Sequence, residues 1–301
     1  MIGYLFLGIS LLSGATKGYC GKRISGNIST VKDSTLANVC RMILCIVIGF
    51  LFVVIENDFS ALVVHPTTIW ISLLSGFCSV VFVISWLFAV KQSAYMMVEV
   101  FLLLGTLIPI TLSYFLFNES VTLIQIAGIA LLLVAVYIMS TYNVSIKGKM
   151  SFKSMIPLII AGVSCGFSDF SQKLFSLSPV SDTASTFNLY TYVFAGIFLT
   201  AFYIVLNAKT SKTPSDTSTP KLLRRIWLYV LVMAICLFAN SYFKTLSAYY
   251  IPSAQLYPLS QGLSVILSLL MAVFFFKEKI NRKCIIGICL AFVALMMINL
   301  L

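Results

Sequence analysis

One short pattern occurs twice in this chain, and its two copies are separated by 159 residues. The first copy is FLFNE at residues 115–119, the second is FFFKE at residues 274–278, and each leads into an apolar run. A glycine follows each glutamate after nine residues, at Gly128 and at Gly287. Because this separation is about half of the 301-residue chain, the sequence predicts a duplicated unit.

The composition restricts the environment of such a unit. Hydrophobic residues make up 60% of the chain, charged residues make up 10%, and the mean hydropathy is +1.04. A water-soluble domain needs a charged surface, so this composition predicts an all-α integral membrane protein. The N-terminus lacks the basic region of a cleavable signal, and we expect it to form the first membrane span.

The sequence offers little for a metal or a cofactor. The cysteines stand singly inside apolar runs without CxxC spacing, which is typical of small buried hydrophobic side chains. No P-loop pattern occurs, so the sequence does not support ATP-driven pumping. We expect no metal and no cofactor, apart from a coupling proton or cation.

A helix needs about 20 mostly apolar residues to cross a bilayer. Ten segments meet this requirement: 2–21, 36–55, 68–90, 94–117, 122–142, 155–176, 184–207, 224–248, 252–276 and 281–300. We therefore predict ten transmembrane helices as two inverted five-helix repeats, the first over residues 1–145 and the second over 152–301. Residues 207–223 are rich in Ser, Thr, Lys and Pro, and we expect a flexible loop there within the second repeat.

Five helices per repeat is an odd number, so the second repeat must enter the membrane from the opposite side. Inverted repeats are common in secondary transporters, whose substrate site lies at the repeat interface near the bilayer midplane. Lysine and arginine concentrate in the odd-numbered connections, with Arg41 counted at the first, whereas Glu56, Glu119 and Asp182 lie at even ones. Because basic residues stay cytoplasmic, this bias places the odd connections inside and both termini outside.

The two pattern copies resemble a family signature. Leu116-Phe117-Asn118-Glu119 and Phe275-Phe276-Lys277-Glu278 are similar to the "LGE" motif of the drug/metabolite transporter superfamily, EamA type, although its glycine is replaced by Asn118 and Lys277. The resemblance covers the whole chain and implies a ten-helix carrier that moves a small metabolite without ATP. Members are usually drawn with both termini inside, which is opposite to the orientation that the charge bias predicts.

The two signature glutamates lie at the expected membrane boundary. There a carboxylate can accept hydrogen bonds from the first amides of the following helix, and we favour this capping role for Glu119 and Glu278 over ion coupling.

Charged side chains inside a span cost about 3 kcal/mol each on insertion scales, so each one requires an explanation. Five qualify: Lys17, Glu99, Asp169, Lys173 and Lys244. In the functional interpretation, Lys17 or Lys244 receives a substrate carboxylate or phosphate, while Glu99 or Asp169 holds an amine or a coupling proton. In the structural one, Asp169 and Lys173 neutralise each other across one helical turn, and Lys17 and Lys173 extend to the headgroups.

Uncharged polar and aromatic side chains complete the predicted substrate site. They are Trp86, Asn240, Tyr242, Gln255, Tyr257 and Gln261. Pro109 and Pro258 remove amide donors and can kink their helices. The small-residue pairs Gly14/Gly18 and Gly162/Gly166 are expected to let a neighbouring helix of the same chain approach closely.

These observations favour a secondary transporter for a small polar metabolite, an amino acid or a related compound, with export as its direction. An uptake carrier for a sugar, a nucleoside or a vitamin-like compound is the alternative, and a membrane enzyme acting on lipid-linked substrates is a third class. We expect a small-molecule substrate and the lipid bilayer as partners, no nucleic acid, a monomer or homodimer, and multiple spans in the plasma membrane, most simply a bacterial inner membrane.

Overall fold

A computed structural model describes residues 1–25, 31–57, 59–92, 95–147, 152–209, 219–275 and 282–299. Within these ranges the chain is helical throughout, with short turns and one 3₁₀ turn at Phe59–Leu62. The α-helices in chain order are α1 (Ile2–Ser25), α2 (Val31–Asn57), α3 (Pro66–Gln92), α4 (Tyr95–Gly105), α5 (Leu107–Phe117), α6 (Leu123–Lys147), α7 (Phe152–Leu177), α8 (Ala184–Lys209), α9 (Thr219–Tyr250), α10 (Ser253–Phe274) and α11 (Arg282–Asn299).

Each predicted span coincides with helix in the described structure, but the segment 94–117 is not one helix. It divides into α4 and α5 at Thr106, whose amide bonds the Leu103 carbonyl at 3.1 Å in a tighter turn. Pro109 has no N–H for the Gly105 carbonyl four residues earlier, so the α-helical ladder breaks at this point. Pro258 lies inside α10 without interrupting it.

Four described helices contain stretches long and apolar enough to cross a membrane. They are Val31–Glu56, Pro66–Trp86, Ala184–Ala208 and Ile226–Tyr250. Shorter apolar stretches occur at Phe101–Phe117, Leu123–Ala135 and Ile285–Ile298. The all-α membrane class is thereby supported, whereas the count of ten spans and the inversion of the repeats stay predictions.

The chain forms two compact units. Unit 1 contains Met1–Leu7, Val81–Lys173 and Ser247–Leu301, and unit 2 contains Gly8–Val80 and Leu174–Leu246. Each unit therefore combines helices from both predicted sequence repeats. The division into repeats at 1–145 and 152–301 concerns the sequence and stays a prediction, and most of the proposed loop at 207–223 lies outside the described residues.

In unit 1, α6 packs along α11, and α10 packs against α4 and α11. The core at the α6–α11 contact includes Leu132, Ala135, Ala294 and Ile298, all at most 3% exposed. Ala135 and Ala294 are related by the same 159-residue separation as the two signature copies. Small residues at this contact let the two helices approach closely.

In unit 2, α2 packs along α8, and α1 and α9 meet through side chains that include Cys20, Ile24, Ile226 and Met233. Aromatic rings fill the contact between α2 and α9. The Phe52 ring lies edge-on to the Tyr242 ring at a centroid distance of 5.0 Å, and such pairs add stability beyond their buried area.

Three of the helix pairs join corresponding predicted spans. The second span (α2) packs on the seventh (α8), the fourth (in part α4) on the ninth (α10), and the fifth (α6) on the tenth (α11). Around a twofold axis, equivalent elements contact each other. This pairing is what a duplicated chain with twofold-related repeats is expected to show.

Glycines set the distance between α4 and α7 in unit 1. A Cβ atom at Gly166 would meet the carbonyl oxygen of Gly105, and one at Gly162 would lie 2.5 Å from the carbonyl oxygen of Phe101. Backbone cannot move away as a flexible side chain can, so these positions require glycine. The prediction that Gly162 and Gly166 let a helix of the same chain approach is confirmed.

We expect Gly166→Ala to lower the free energy of unfolding by about 1–3 kcal/mol, the usual cost of forcing a methyl group into a packed contact. Gly8→Ala is the matched control, because a Cβ atom at Gly8 meets nothing within 4 Å. It should leave the stability unchanged or raise it slightly, since alanine favours helix. Thermal unfolding of the two variants in detergent distinguishes these outcomes, and equal midpoints would contradict the close contact.

Candidate functional site

An ion pair at the end of α5 ties three helices of unit 1 together. Asn118 is the C-cap residue of α5. It adopts a left-handed conformation, with φ 51°, and so turns the chain immediately before Glu119. The Oε1 atom of Glu119 lies 2.8 Å from Nζ of Lys173, and its Oε2 atom accepts a hydrogen bond from the amide of Ser253 at 2.9 Å. Ser253 is the first residue of α10, so Glu119 caps that helix. Its negative charge also interacts favourably with the positive end of the helix dipole.

Glu119 therefore caps a helix, as predicted, but the helix is α10. The prediction that it caps the following helix, α6, was wrong. The following helix, α6, has its own cap: Thr122 accepts from the Gln125 amide at 3.3 Å, while Gln125 accepts from the Thr122 amide at 3.0 Å. This reciprocal arrangement is a capping box, and it leaves Glu119 available for α10. The second signature glutamate, Glu278, lies outside the described residues.

Lys173 completes the same network from α7. Its ammonium group donates to the carbonyl oxygens of Ala248 and Ile251, at 3.2 and 3.4 Å, near the C-terminal end of α9. The side chain is only 5% exposed, so it does not extend to the headgroups, and that interpretation was wrong. A lysine near a helix C-terminus satisfies carbonyls that have no intrahelical donor.

Two predicted site residues of α10 contact α7. The Tyr257 hydroxyl donates to the Asp169 carbonyl at 2.7 Å, and the ring is fully buried. Four residues later, the Gln261 amide lies 3.5 Å from the Cys165 sulfur, which is four residues before Asp169. The structure thus brings Tyr257, Gln261 and Asp169 together along one helix contact, and Asp169 is 4% exposed.

The remaining predicted residues of unit 1 are separate from this contact. Gln255 accepts a hydrogen bond from the Tyr4 hydroxyl at 3.2 Å. Trp86 packs beside Ala89, Val98 and Leu158. Glu99 belongs to α4, but its side chain is not among those that the structure describes.

In unit 2, Asn240 joins α9 to α1. Its side-chain amide donates to the Ser10 carbonyl at 2.7 Å, and the Ser10 hydroxyl donates to the Asn240 carbonyl at 2.9 Å. Gly14 makes room for this amide, because a Cβ atom there would lie 3.0 Å from it. The polar groups of Asn240 are therefore used in a helix contact.

Two further predicted residues follow Asn240 on α9. The Tyr242 hydroxyl donates to a carboxylate oxygen of Glu56 at 2.8 Å. Lys244 is 7% exposed and lies within the apolar stretch of α9 that is long enough to cross a membrane. Lys17, on α1 of the same unit, is half-buried and interacts electrostatically with Cys45 and Cys236. The substrate-binding roles of these residues stay predictions.

One charged residue inside unit 2 was missed by the sequence analysis. Arg41 was counted with the basic residues of the first connection, but it lies in the third turn of α2 and is 8% exposed. Its neighbours in the sequence, Cys40 and Met42, are apolar and could have indicated this position. A charge in a span is a candidate for function by the same rule that selected Lys17 and Lys244.

An open groove of about 410 Å³ lies on unit 2 between α2 and α8. Its lining is Ile46, Val47, Phe50, Leu51, Leu62, Leu189, Tyr190 and Val193. None of the predicted site residues lines it, and an apolar groove offers a polar metabolite few partners. Among the described residues, no three His, Cys, Asp or Glu side chains are grouped so that they could hold a metal ion.

We expect Glu119→Gln to destabilise the protein by about 3 kcal/mol, because it leaves the buried ammonium of Lys173 without its counter-charge. The double variant Glu119→Gln/Lys173→Met should recover most of this loss, since it removes both charges. Arg282→Met, which removes an exposed cation, serves as the control. Unfolding midpoints of the wild type, the single variants Glu119→Gln and Lys173→Met, the double variant and the control test the pair, and a double variant as unstable as the sum of the single changes would contradict it.

Comparisons with known proteins agree with this architecture. Residues 152–300 match the family model of the EamA-like transporter family. One solved crystal structure superposes with a TM-score of 0.70 over 99% of this chain and 96% of its own, at 15% sequence identity, which shows a shared fold. No curated protein matches the chain. The chain therefore belongs to the EamA-like transporter family, within the drug/metabolite transporter superfamily.

Proposed function

We propose that this membrane protein is a secondary transporter that exports a small polar metabolite, an amino acid or a related compound, by alternating access. The observation that carries the proposal is the burial of ionisable side chains inside apolar helices. Asp169, Lys244 and Arg41 are 4%, 7% and 8% exposed. Placing a charged side chain inside the bilayer costs free energy, and residues of this kind usually mark a substrate or ion path.

The cargo follows from the charges. In our proposal Lys17 or Lys244 binds a substrate carboxylate or phosphate, and Glu99 or Asp169 binds an amine or carries a coupling proton. Cationic and acidic positions together suit a zwitterion. The cationic and the acidic positions would bind different groups of the substrate, so each requires its own variant.

An uptake carrier for a sugar, nucleoside or vitamin-like compound would instead need amide and hydroxyl groups directed at the ligand. Several of these groups are used inside the protein: Tyr257 bonds Asp169, Asn240 bonds Ser10, and Tyr242 bonds Glu56. Their use in helix contacts favours the charged side chains as ligand groups, and hence the zwitterion.

The proposal also covers the membrane in which the protein lies, its oligomeric state and its cofactors. The superfamily consists of transporters, and we propose no enzymatic activity. We place the protein in the plasma membrane, a bacterial inner membrane in the simplest case, as a monomer or homodimer. It would need no cofactor beyond a coupling proton or cation, and no nucleic acid.

We expect amino acids to raise the unfolding midpoint of the purified protein, since a ligand that binds only the native state stabilises it by about 2.7 kcal/mol at one hundred times its Kd. Lys244→Met and Glu99→Gln should each abolish the shift, whereas Arg282→Met, at an exposed position, should retain it. A shift with sugars or nucleosides that survives both substitutions would overturn the zwitterion assignment in favour of the alternative cargo. Counterflow of a labelled amino acid into preloaded proteoliposomes then tests transport itself.

The orientation of the protein in the membrane can be tested separately from its cargo. The distribution of lysine and arginine places both termini outside the cytoplasm. A C-terminal phosphatase fusion, active only outside the cytoplasm, should therefore be active in a bacterial host, and a fluorescent-protein fusion that matures only in the cytoplasm should be dark. The opposite pair of results would place the termini inside, as the family resemblance implies.

A further inference from the structure

The guanidinium of Arg41 is buried in a part of unit 2 that supplies it with little compensation. The residue is 8% exposed, and no described residue accepts a hydrogen bond from its Nε atom. Arginine stays charged at any physiological pH, so it cannot escape the cost of burial by losing its proton. Such a group requires an anion or water beside it.

The side chains with which Arg41 interacts electrostatically are a thiol and a phenol. They belong to Cys45 and Tyr192. Cys45 directs its thiol at the Ala234 carbonyl, at 3.5 Å, and Tyr192 donates to the Leu237 carbonyl at 3.1 Å. Both side chains are thereby held against α9, and neither carries a negative charge in these contacts.

A second cation belongs to the same surroundings. Lys17 of α1 interacts electrostatically with Cys45, the residue that also neighbours Arg41, and with Cys236 of α9. Two cationic side chains from neighbouring helices thus converge on one thiol. An anion that lies between them would attract both positive charges.

Two of the carboxylates that the structure describes in unit 2 bond other groups. Glu56 accepts from the Tyr242 hydroxyl, and Asp182 accepts from the His65 amide and from the Thr68 hydroxyl. Asp33 precedes Arg41 by eight residues on α2, which is about 12 Å along the helix axis. Among the described residues of unit 2 none forms an ion pair with Arg41, so an anion that enters the site can supply the counter-charge.

We propose that Arg41 and Lys17 form an anion-binding site among α1, α2, α8 and α9, and that this site takes the carboxylate or phosphate of a small solute. The planar fork of the guanidinium donates two parallel hydrogen bonds to such a group, and the ammonium adds a point charge. That the solute is transported cargo rests on the proposed function, whereas the binding of the anion does not. Arg41 thereby joins Lys17 as a residue that selects anionic over neutral ligands.

The test compares unfolding midpoints in neutral detergent with sodium acetate, sodium phosphate or sodium chloride at equal ionic strength. In the wild type, acetate or phosphate should raise the midpoint above that in chloride. Arg41→Met should weaken the apparent affinity for the effective anion about tenfold or more, as expected for the loss of charge-assisted hydrogen bonds, and Arg41→Lys should have an intermediate effect. Arg23→Met removes an exposed cation of α1 and should bind the anion like the wild type.

The stability of the ligand-free variants separates binding from a structural role. Methionine removes a buried charge, so Arg41→Met without ligand should unfold at the same temperature as the wild type or higher. A lower midpoint of ligand-free Arg41→Met, with anion binding unchanged, would overturn the proposal. If Arg41→Met does not fold, Arg41→Lys with wild-type affinity would overturn it equally.

Two further measurements distinguish a lipid headgroup from a small solute as the anion, and anion binding from transport. A midpoint shift with a short-chain phosphatidylglycerol but with neither acetate nor phosphate would assign the site to a lipid headgroup and overturn the small-solute proposal. Arg41-dependent binding of acetate or phosphate, without counterflow of any amino acid, would support the anion site while the proposed transport function fails. Counterflow and anion binding that Arg41→Met both leaves unchanged would support transport and overturn this site.

Discussion

The structure depends on satisfying helix ends and charges inside the protein, because apolar surroundings offer no water to do it. Glu119 illustrates the constraint. Its carboxylate closes the N-terminus of α10 and neutralises Lys173, which in turn bonds carbonyls near the C-terminal end of α9. Asp182 has a similar role in unit 2, where it accepts from the amide of His65, the residue before α3. In both cases an acidic residue of one sequence repeat serves a helix of the other.

Such contacts between the repeats explain why the compact units do not follow the order of the chain. Corresponding spans pack together, α2 with α8 and α6 with α11, and the signature glycine Gly128 lies against Ala294 and Ile298 of α11. A bulky side chain at Gly128 would push these helices apart, since a Cβ atom there would lie 2.8 Å from Ile298. The small residues that mark the repeat in the sequence are therefore the ones that let its two copies meet.

The sequence predicted the helices well because hydrophobic length is a local property. It also identified Pro109 as a possible kink, and α4 and α5 separate three residues before that proline. The partner of Glu119 could not be predicted in this way. Ser253 is 134 residues further along the chain, and charge and position alone pointed to the adjacent helix. Arg41 was missed for a related reason: counting basic residues by connection assigns each to the nearest loop, whereas the surroundings of Arg41 include residues distant in the sequence, such as Tyr192 of α8.

The two buried cations with described surroundings differ in what compensates them, and this difference separates structure from function. Lys173 has a carboxylate at 2.8 Å and two carbonyl acceptors, so its charge is balanced within the protein and its removal would affect folding first. Arg41 has a thiol and a phenol beside it. Of the described carboxylates of its unit, Glu56 and Asp182 bond other groups, and Asp33 lies about 12 Å away along the axis of α2. Burial therefore identifies the ionisable side chains that are candidates for a transport site, and their compensation within the protein ranks them. A cation whose counter-charge the protein does not supply is the better candidate, because the missing charge then defines the ligand.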